Sequence, residues 1–318
     1  LYQHEILGMT KQRIKQLVES LAHQEGVSET GIKGVRTFKV TSSIPCSPAV
    51  YEPTIIAIVS GQKEAILEGN KLTYDSRQYL CCSVSMPVEA GTPNASVENP
   101  LLGVSISLDT KVMTELALEV ETASGLIKSP KPSEQLSSLS LADWDDNFSE
   151  ALFRLLQLEG NKLDTAILGE ARLRELYYAV LKGKSGLSVK RAFGIGNEIA
   201  RSIDYLATHL NDNVTIDELA SQVGMSRAVF HRKFKQATLM SPIQFMKSMR
   251  LNNAAMQIAS GKNVSEAAMS VGYVSSSQFS REFKRLYGLS PKQWTQSRPL
   301  PETLQPETYK EASKPAFN

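Results

Sequence analysis

The sequence predicts an α+β chain of two unlike domains. Three observations carry that expectation. Short β-branched runs set apart by Gly, Pro and Ser fill residues 50–108. From Asp109 onward apolar residues recur with a helical period. Between residues 215 and 291 a two-helix pattern with a glycine turn occurs twice. Short strands at that spacing indicate a β-barrel or sandwich, and a duplicated helix pair with a tight turn is the layout of helix-turn-helix. A chain of 318 residues also suits two domains of ~150 residues each.

In chain order, "TKQRIKQLVESLAHQEG" places Ile14, Leu17, Val18 and Leu21 on one helical face. The run 54–59, "TIIAIV", suits a buried strand. Within 63–75, Gly69-Asn70 reads as a two-residue hairpin turn, and 78–84 and 101–108 continue the strands. Three helices follow: "TKVMTELALEVE", "WDDNFSEALFRLLQLEG" and "LDTAILGEARLRELYYAVLKG". The last puts Ile167, Leu168, Ala171, Leu173, Leu176, Tyr177, Val180 and Leu181 on one side, a stripe expected to be core or a dimer seam. Residues 128–140 read as a loop, and the glycine-rich stretch 183–196 as the domain boundary. The expected division is 1–185, 195–298, and 299–318 as a proline-rich disordered tail.

Charge is unevenly shared. Residues 195–298 hold 13 Lys+Arg against 7 Asp+Glu, net +6, whereas the rest holds 22 against 26, net −4. A basic module joined to an acidic one points to a polyanionic partner for the first. The three cysteines, Cys46, Cys81 and Cys82, form neither an even disulfide set nor a C-x-x-C pair. Cys81 and Cys82 read as small apolar residues of a buried strand. No apolar run reaches the length of a membrane span, and the opening "LYQHEILGMT" has no basic stretch followed by an apolar one. Cytoplasmic localisation without a membrane partner is therefore expected.

The repeat carries the function. In the first copy Thr215 and Glu218 form a capping box, Ile216, Leu219, Ala220 and Val223 form the apolar stripe, Gly224 turns, and Ser226 caps a second helix that buries Phe230 and Phe234. In the second copy Ser265 is expected to cap, Gly272 turns, and Phe279 and Phe283 repeat the pair before Gly288. The offset is 48 at the turn glycines and 49 from the phenylalanines on. Opposite the phenylalanines lie Arg227, Ala228, His231, Arg232 and Lys235 in one copy, and Ser276, Ser277, Ser280, Arg281 and Lys284 in the other. Small residues let a helix backbone approach a base pair, arginine can fork onto guanine, and lysine supplies phosphate charge. Between the copies Ser241, Pro242 and Gly261 bracket a helix of roughly 18 residues, about 27 Å long. Such a rod can hold two reading helices near successive turns of DNA, about 34 Å apart. Ser290-Pro291 starts a final helix in the same way.

Residues 195–298 resemble the DNA-binding module of the AraC/XylS family of bacterial transcription regulators. The motifs are "IDELASQVGMSRAVFHRKFKQAT", "SPIQFMKSMRL" and "VSEAAMSVGYVSSSQFSREFKRLYGLSPKQW". The resemblance implies base reading by Ala228, His231 and Arg232 in the first unit and by Ser277, Gln278, Ser280 and Arg281 in the second. It implies phosphate contacts from Ser226, Lys235, Ser276 and Lys284. Ala228 departs from family members with a large side chain there, which limits it to a thymine-methyl contact. The run "YEPTIIAIVSGQKEAILEGNKLTYDSRQYLCCSVSMPVE" is similar to an N-terminal sensor domain of one AraC-type subgroup. That implies a cupin-like β-barrel with dimerising helices and a small-molecule effector. Strand position alone makes Tyr51, Ile56 and Leu80 candidates for its pocket. Promoter DNA, RNA polymerase and a second copy of the chain are the implied partners, and no cofactor is. The alternative is a cupin-type metalloenzyme, or a small-molecule-binding protein, carrying a DNA-binding module. Cupin catalysis holds its metal mainly through histidines, and His4, His23, His209 and His231 all lie outside 50–108. No metal site and no catalytic residue are expected.

Overall fold

The computed structural model describes residues 2–124, 138–194, 197–212 and 214–297. It has a sheet-rich N-terminal domain and a helical C-terminal one. The first contains α1 (Tyr2–Leu21), β1 (Gly26–Glu29), β2 (Val35–Val40), β3 (Ile44–Tyr51), β4 (Thr54–Ser60), β5 (Gln62–Leu67), β6 (Asn70–Asp75), β7 (Gln78–Cys82), β8 (Met86–Thr92), β9 (Leu101–Ser107), α2 (Thr110–Ser124), β10 (Leu139–Asp143), α3 (Asp146–Leu156) and α4 (Lys162–Lys182). Then follow α5 (Gly186–Phe193), α6 (Glu198–Thr208), α7 (Ile216–Gln222), α8 (Arg227–Thr238), α9 (Pro242–Ala259), α10 (Val264–Ser270), α11 (Ser276–Tyr287) and α12 (Pro291–Ser297).

The strands form two antiparallel sheets, ordered β1-β2-β9-β4-β7-β10 and β3-β8-β5-β6. In β4, Ile55, Ala57 and Ile58 are fully buried, as a continuous apolar run in a central strand should be. Its neighbour β9 needs glycine at position 103. A Cβ there would lie 2.3 Å from the Phe38 ring and 2.7 Å from the Ala57 carbonyl. Helix α1 buries Ile14 and Val18, four apart, and packs on α3 and on β4 and β9. Tyr79 of β7 stacks on Phe148 of α3 at 4.1 Å. From α4, the Tyr177 hydroxyl donates to the Ser107 carbonyl at 2.6 Å and accepts from the Asp109 amide, so that one side chain ties the helix to the end of β9.

Several expectations change. The hairpin between β5 and β6 turns at Glu68-Gly69, both with positive φ, and Leu67 pairs with Asn70. That is one residue earlier than Gly69-Asn70, because two consecutive positive-φ residues make the favoured hairpin turn. Helix α4 buries Leu176, Tyr177, Val180 and Leu181, yet Leu163 and Ile167 are each 70% exposed and Leu168 is 38% exposed. Only the C-terminal half of the stripe is core. Residues 139 and 140, read as loop, belong to β10, and 128–137 lie outside the described residues. Within 183–196 sits α5, which buries Val189, Ala192 and Phe193. The tail 299–318 is outside the described residues.

The C-terminal helices build two apolar clusters. Ile216, Leu219, Ala220, Phe230, Phe234, Met240, Phe245 and Met249 belong to a core continuous with that of the N-terminal domain. Leu251, Ala254, Ala255, Ile258, Ala267, Ala268, Val271, Tyr273, Phe279, Phe283 and Trp294 form a second, separate one. Helix α9 contributes to both, so the rod expected between the units is also the wall they share.

Candidate nucleic-acid interface

Each helix-turn-helix unit is built by local rules. At the first, Thr215 accepts from the Glu218 amide while the Glu218 carboxylate takes the Thr215 amide, so the expected capping box is present. Gly224 turns with φ +66, and the Ser226 side chain caps α8 through the Val229 amide. Phe230 and Phe234 are fully buried, their rings 5.5 Å apart. At the second unit the cap of α10 is Asn263, whose side chain accepts from the Ser265 amide. Ser265 was the expected cap; asparagine two residues earlier takes the role, since its side-chain oxygen reaches the N2 amide. Gly272 turns with φ +86, and a Cβ there would meet the Leu210 carbonyl at 2.8 Å. The cap of α11 is Ser275, which accepts from the Gln278 amide. Ser275, not Ser276, is thus the structural equivalent of Ser226.

With the phenylalanines inside, the opposite faces are open. Ala228, His231, Arg232 and Lys235 are exposed on α8, and Ser276, Ser277, Gln278, Arg281 and Lys284 on α11; Ser280 is half-buried. The structure brings each group onto its own helix, Lys235 and Lys284 in the last turn and the others in the half nearer the capped N-terminal end. Helix α9 runs from a capping box at Ser241 and Gln244, with Pro242 in its first turn, to Ala259. Its 18 residues match the expected rod.

Three neighbours of the predicted side chains were not singled out from sequence. Arg285 lines one surface depression with Gln278, Arg281 and Glu282; its spacing of four from Arg281 is the signal that finds it. Lys233 is exposed on α8. Glu282 is an acid on α11, turned toward donors of its own unit. It accepts from the Tyr273 hydroxyl at 2.9 Å and the Gln278 amide at 3.3 Å, and Lys247 lies 3.5 Å away. Burial pushes the Glu282 carboxyl up, but the Tyr273 and Gln278 hydrogen bonds and the Lys247 charge outweigh it and hold it below the usual range. Burial, then the adjoining carboxylate, raises Tyr273. Arg227 pairs with Asp217 at 3.0 Å, both well exposed, a contact worth ~0–1 kcal/mol.

The pocket candidates in the N-terminal domain lie in its interior. Ile56 of β4 and Leu80 of β7 are cross-strand partners and buried. Tyr51 ends β3, and its buried hydroxyl faces that of Tyr74 on β6, with which it interacts. Burial raises both hydroxyls. Opposite Tyr74 on β5 stands Lys63, pushed down to about 8 by burial. Tyr74 and Lys63 carry no local sequence signal, because only the pairing of β5 with β6 sets them side by side. Cys81 and Cys82 are fully buried, and burial pushes the Cys81 thiol up to about 12, as expected of inert strand residues. Among the described residues no group of three His, Cys, Asp or Glu is placed to hold a metal, and no helix is long and apolar enough to cross a membrane.

Two family models match separate parts of the chain. Residues 31–188 match the family model described as AraC-type transcriptional regulator N-terminus. Residues 219–297 match the one described as helix-turn-helix domain. Over 92 residues the chain is 34% identical to the probable transcriptional regulator LumQ of Photobacterium leiognathi, covering 29% of this chain and 37% of that one. Over 147 residues it is 26% identical to the raffinose operon transcriptional regulatory protein RafR of Pediococcus pentosaceus, covering 46% and 53%. The chain thus spans about half or less of these relatives' lengths. The crystal structure of ToxT from Vibrio cholerae O395, bound to (E)-4-(8-methylnaphthalen-1-yl)but-3-enoic acid, aligns over 83% of this chain and 98% of that one. The TM-score is 0.53 at 12% identity, a likeness of fold.

Proposed function

The chain belongs to the AraC-type family of transcriptional regulators, and on that footing we propose that it binds specific promoter DNA through α8 and α11. The observation that carries this reading is the duplication itself: two capped helices, each with a buried phenylalanine pair behind and small or basic residues in front. In this reading Ala228, His231, Arg232, Ser277, Gln278, Ser280 and Arg281 face bases. Ser226, Lys235, Ser276 and Lys284, joined by Arg285, face phosphates. Residues 195–298 act as the DNA-binding unit, 1–185 as a cupin-like sensor and dimerisation unit, and 299–318 as a tail. A small effector fits the sensor interior, where the Tyr51 and Tyr74 hydroxyls offer a buried polar pair in an apolar setting. The exposed Leu163 and Ile167 of α4 suit a seam with a second copy. RNA polymerase is the expected protein partner, the cytoplasm the expected compartment, and no catalysis or cofactor is required.

The test is a titration of the full chain against duplexes selected from a random pool, at several salt concentrations. The logarithm of the affinity should fall linearly with log salt, and selected duplexes should outcompete scrambled ones. Binding with neither property would overturn the reading. Sedimentation of the full chain and of Ile167→Glu tests the seam: dimers should form only without the substitution.

A further inference from the structure

Asn252 lies in the middle of α9 and is only 5% exposed. Its Nδ2 donates to the carbonyls of Ala49 at 2.8 Å and Val88 at 3.0 Å. Those two residues are register partners on β3 and β8 of the N-terminal domain. Its Oδ1 accepts from the Tyr287 hydroxyl at 2.6 Å. Carbonyls only accept, so the orientation of the amide is fixed, and both of its donor hydrogens are engaged. Tyr287 is the last residue of α11, and its ring packs edge-on against Phe283 and close to Trp294. One side chain therefore joins the sheet of the sensor, the rod between the two units, and the C-terminal end of the second reading helix.

The first unit has no such joint. The residue equivalent to Tyr287 is Thr238, whose hydroxyl is satisfied locally by the Phe234 and Met240 carbonyls. Helix α8 is tied to the sensor instead by apolar continuity and by the Ser138 amide donating to the Ala237 carbonyl. The first unit is thus embedded in the sensor, whereas the second, with its own core, is held to it through a polar relay. A reading helix of 12 residues is about 18 Å long, so its tilt depends on where its far end is fastened.

We propose that Asn252 is a positioning residue that sets the pose of α11 relative to α8 and makes that pose depend on the sensor. It touches no base; it acts through Tyr287 and so governs which spacing between the two half-sites the chain accepts. The proposal rests on the DNA-binding reading above.

Two single-atom changes separate the arms of the relay. Asn252→Asp keeps the acceptor for Tyr287 and removes the donors to the sensor. Tyr287→Phe removes the bond to Asn252 and keeps the ring and the sensor contacts. The full chain and both variants are titrated against a selected duplex and against the same duplex with one or two base pairs inserted between half-sites. Each variant should lose preference for the original spacing by about fivefold or more, within the usual range of coupling. The salt slope should stay unchanged, because no phosphate contact is touched. Wild-type spacing preference in either variant would overturn the relay. Hydrogen exchange without DNA provides an independent arm: the last turn of α11 should exchange faster in both variants. Unchanged exchange refutes the joint even if the chain bound no DNA, so failure of the relay and failure of the DNA-binding reading are told apart.

Discussion

The two helix-turn-helix units share their chemistry and differ in what stands behind them. Both bury a phenylalanine pair four residues apart, both cap the second helix with serine, and both end it in the left-handed region, at Leu239 and Gly288. The first unit draws its core from the N-terminal domain as well. The second closes on itself around Phe279, Phe283 and Trp294, with a polar network of Tyr273, Gln278 and Glu282 that has no counterpart at Met225, Val229 and Lys233. A duplicated fold can thus be fused to its neighbour at one copy and only fastened at the other. Burial of shared apolar surface makes elements cooperative, and a few hydrogen bonds make them coupled but separable.

The sharpest way to break this comparison is to remove one ring from each core. Phe234→Ala and Phe283→Ala should each cost about 3–5 kcal/mol, with different reach. Hydrogen exchange should show the loss for Phe283→Ala confined to α10–α12, and the loss for Phe234→Ala extending into the N-terminal domain. Identical patterns would mean that the two cores unfold as one.

The next effect lies on the reading faces. Arg281→Ala should cost roughly 1–3 kcal/mol on a selected duplex and flatten preference at one base pair. Lys284→Ala should weaken all duplexes alike and lower the salt slope by about one. Arg232→Ala and Lys235→Ala are the matching pair in the first unit, expected to act more weakly beside Ala228. Equal losses for Arg281→Ala on selected and scrambled duplexes would assign that arginine to phosphate.

Acid should distinguish the units next. The Glu282 carboxyl is held below the usual carboxylate range, so the stability it contributes is present above its unfolded pKa and is lost as pH falls through the folded one. The second unit should weaken below about pH 4.5 by an amount on the order of 1 kcal/mol. Glu282→Gln should remove that dependence. Melts monitored at Trp294 from pH 3 to 7 measure it; an unchanged acid limb in the variant would exclude Glu282 as its source.

The smallest expected difference is at the helix ends. A Cβ at Gly288 has open space but φ is +74, so Gly288→Ala should cost about 1 kcal/mol through backbone strain. Leu239 bears that strain already, at φ 65, and its half-buried side chain packs on the core. Leu239→Gly should therefore shift the melting midpoint less than Gly288→Ala does, relief and lost packing offsetting each other.

How much of this was legible beforehand depends on range. Capping boxes, glycine turns and phenylalanine pairs are written within a dozen residues, so both units, the rod between them and the outward faces of α8 and α11 follow from sequence. The sheets were half legible. β4, β7 and β9 announce themselves by apolar runs, but β1, β2, β3, β8 and β10 mix Pro, Gly, Lys and Ser, and become strands only because a neighbour supplies the hydrogen bonds. The exposed half of α4 could not be told from its buried half, since periodicity marks a stripe and not what covers it.

The sequence by itself determined the two-domain α+β character, the duplication, the concentration of positive charge in the second domain and the side chains that face outward from α8 and α11. Periodicity, caps and turn residues act over one or two helical turns, so no distant partner is needed to read them. Only the tertiary structure decided that the first unit merges with the core of the N-terminal domain while the second stands apart. It alone set Lys63 beside Tyr74 and brought Asn252 to a carbonyl 203 positions away. An asparagine in a helix looks like any exposed polar residue until folding takes water from it. Its amide then has to be satisfied by whatever groups the fold has placed nearby.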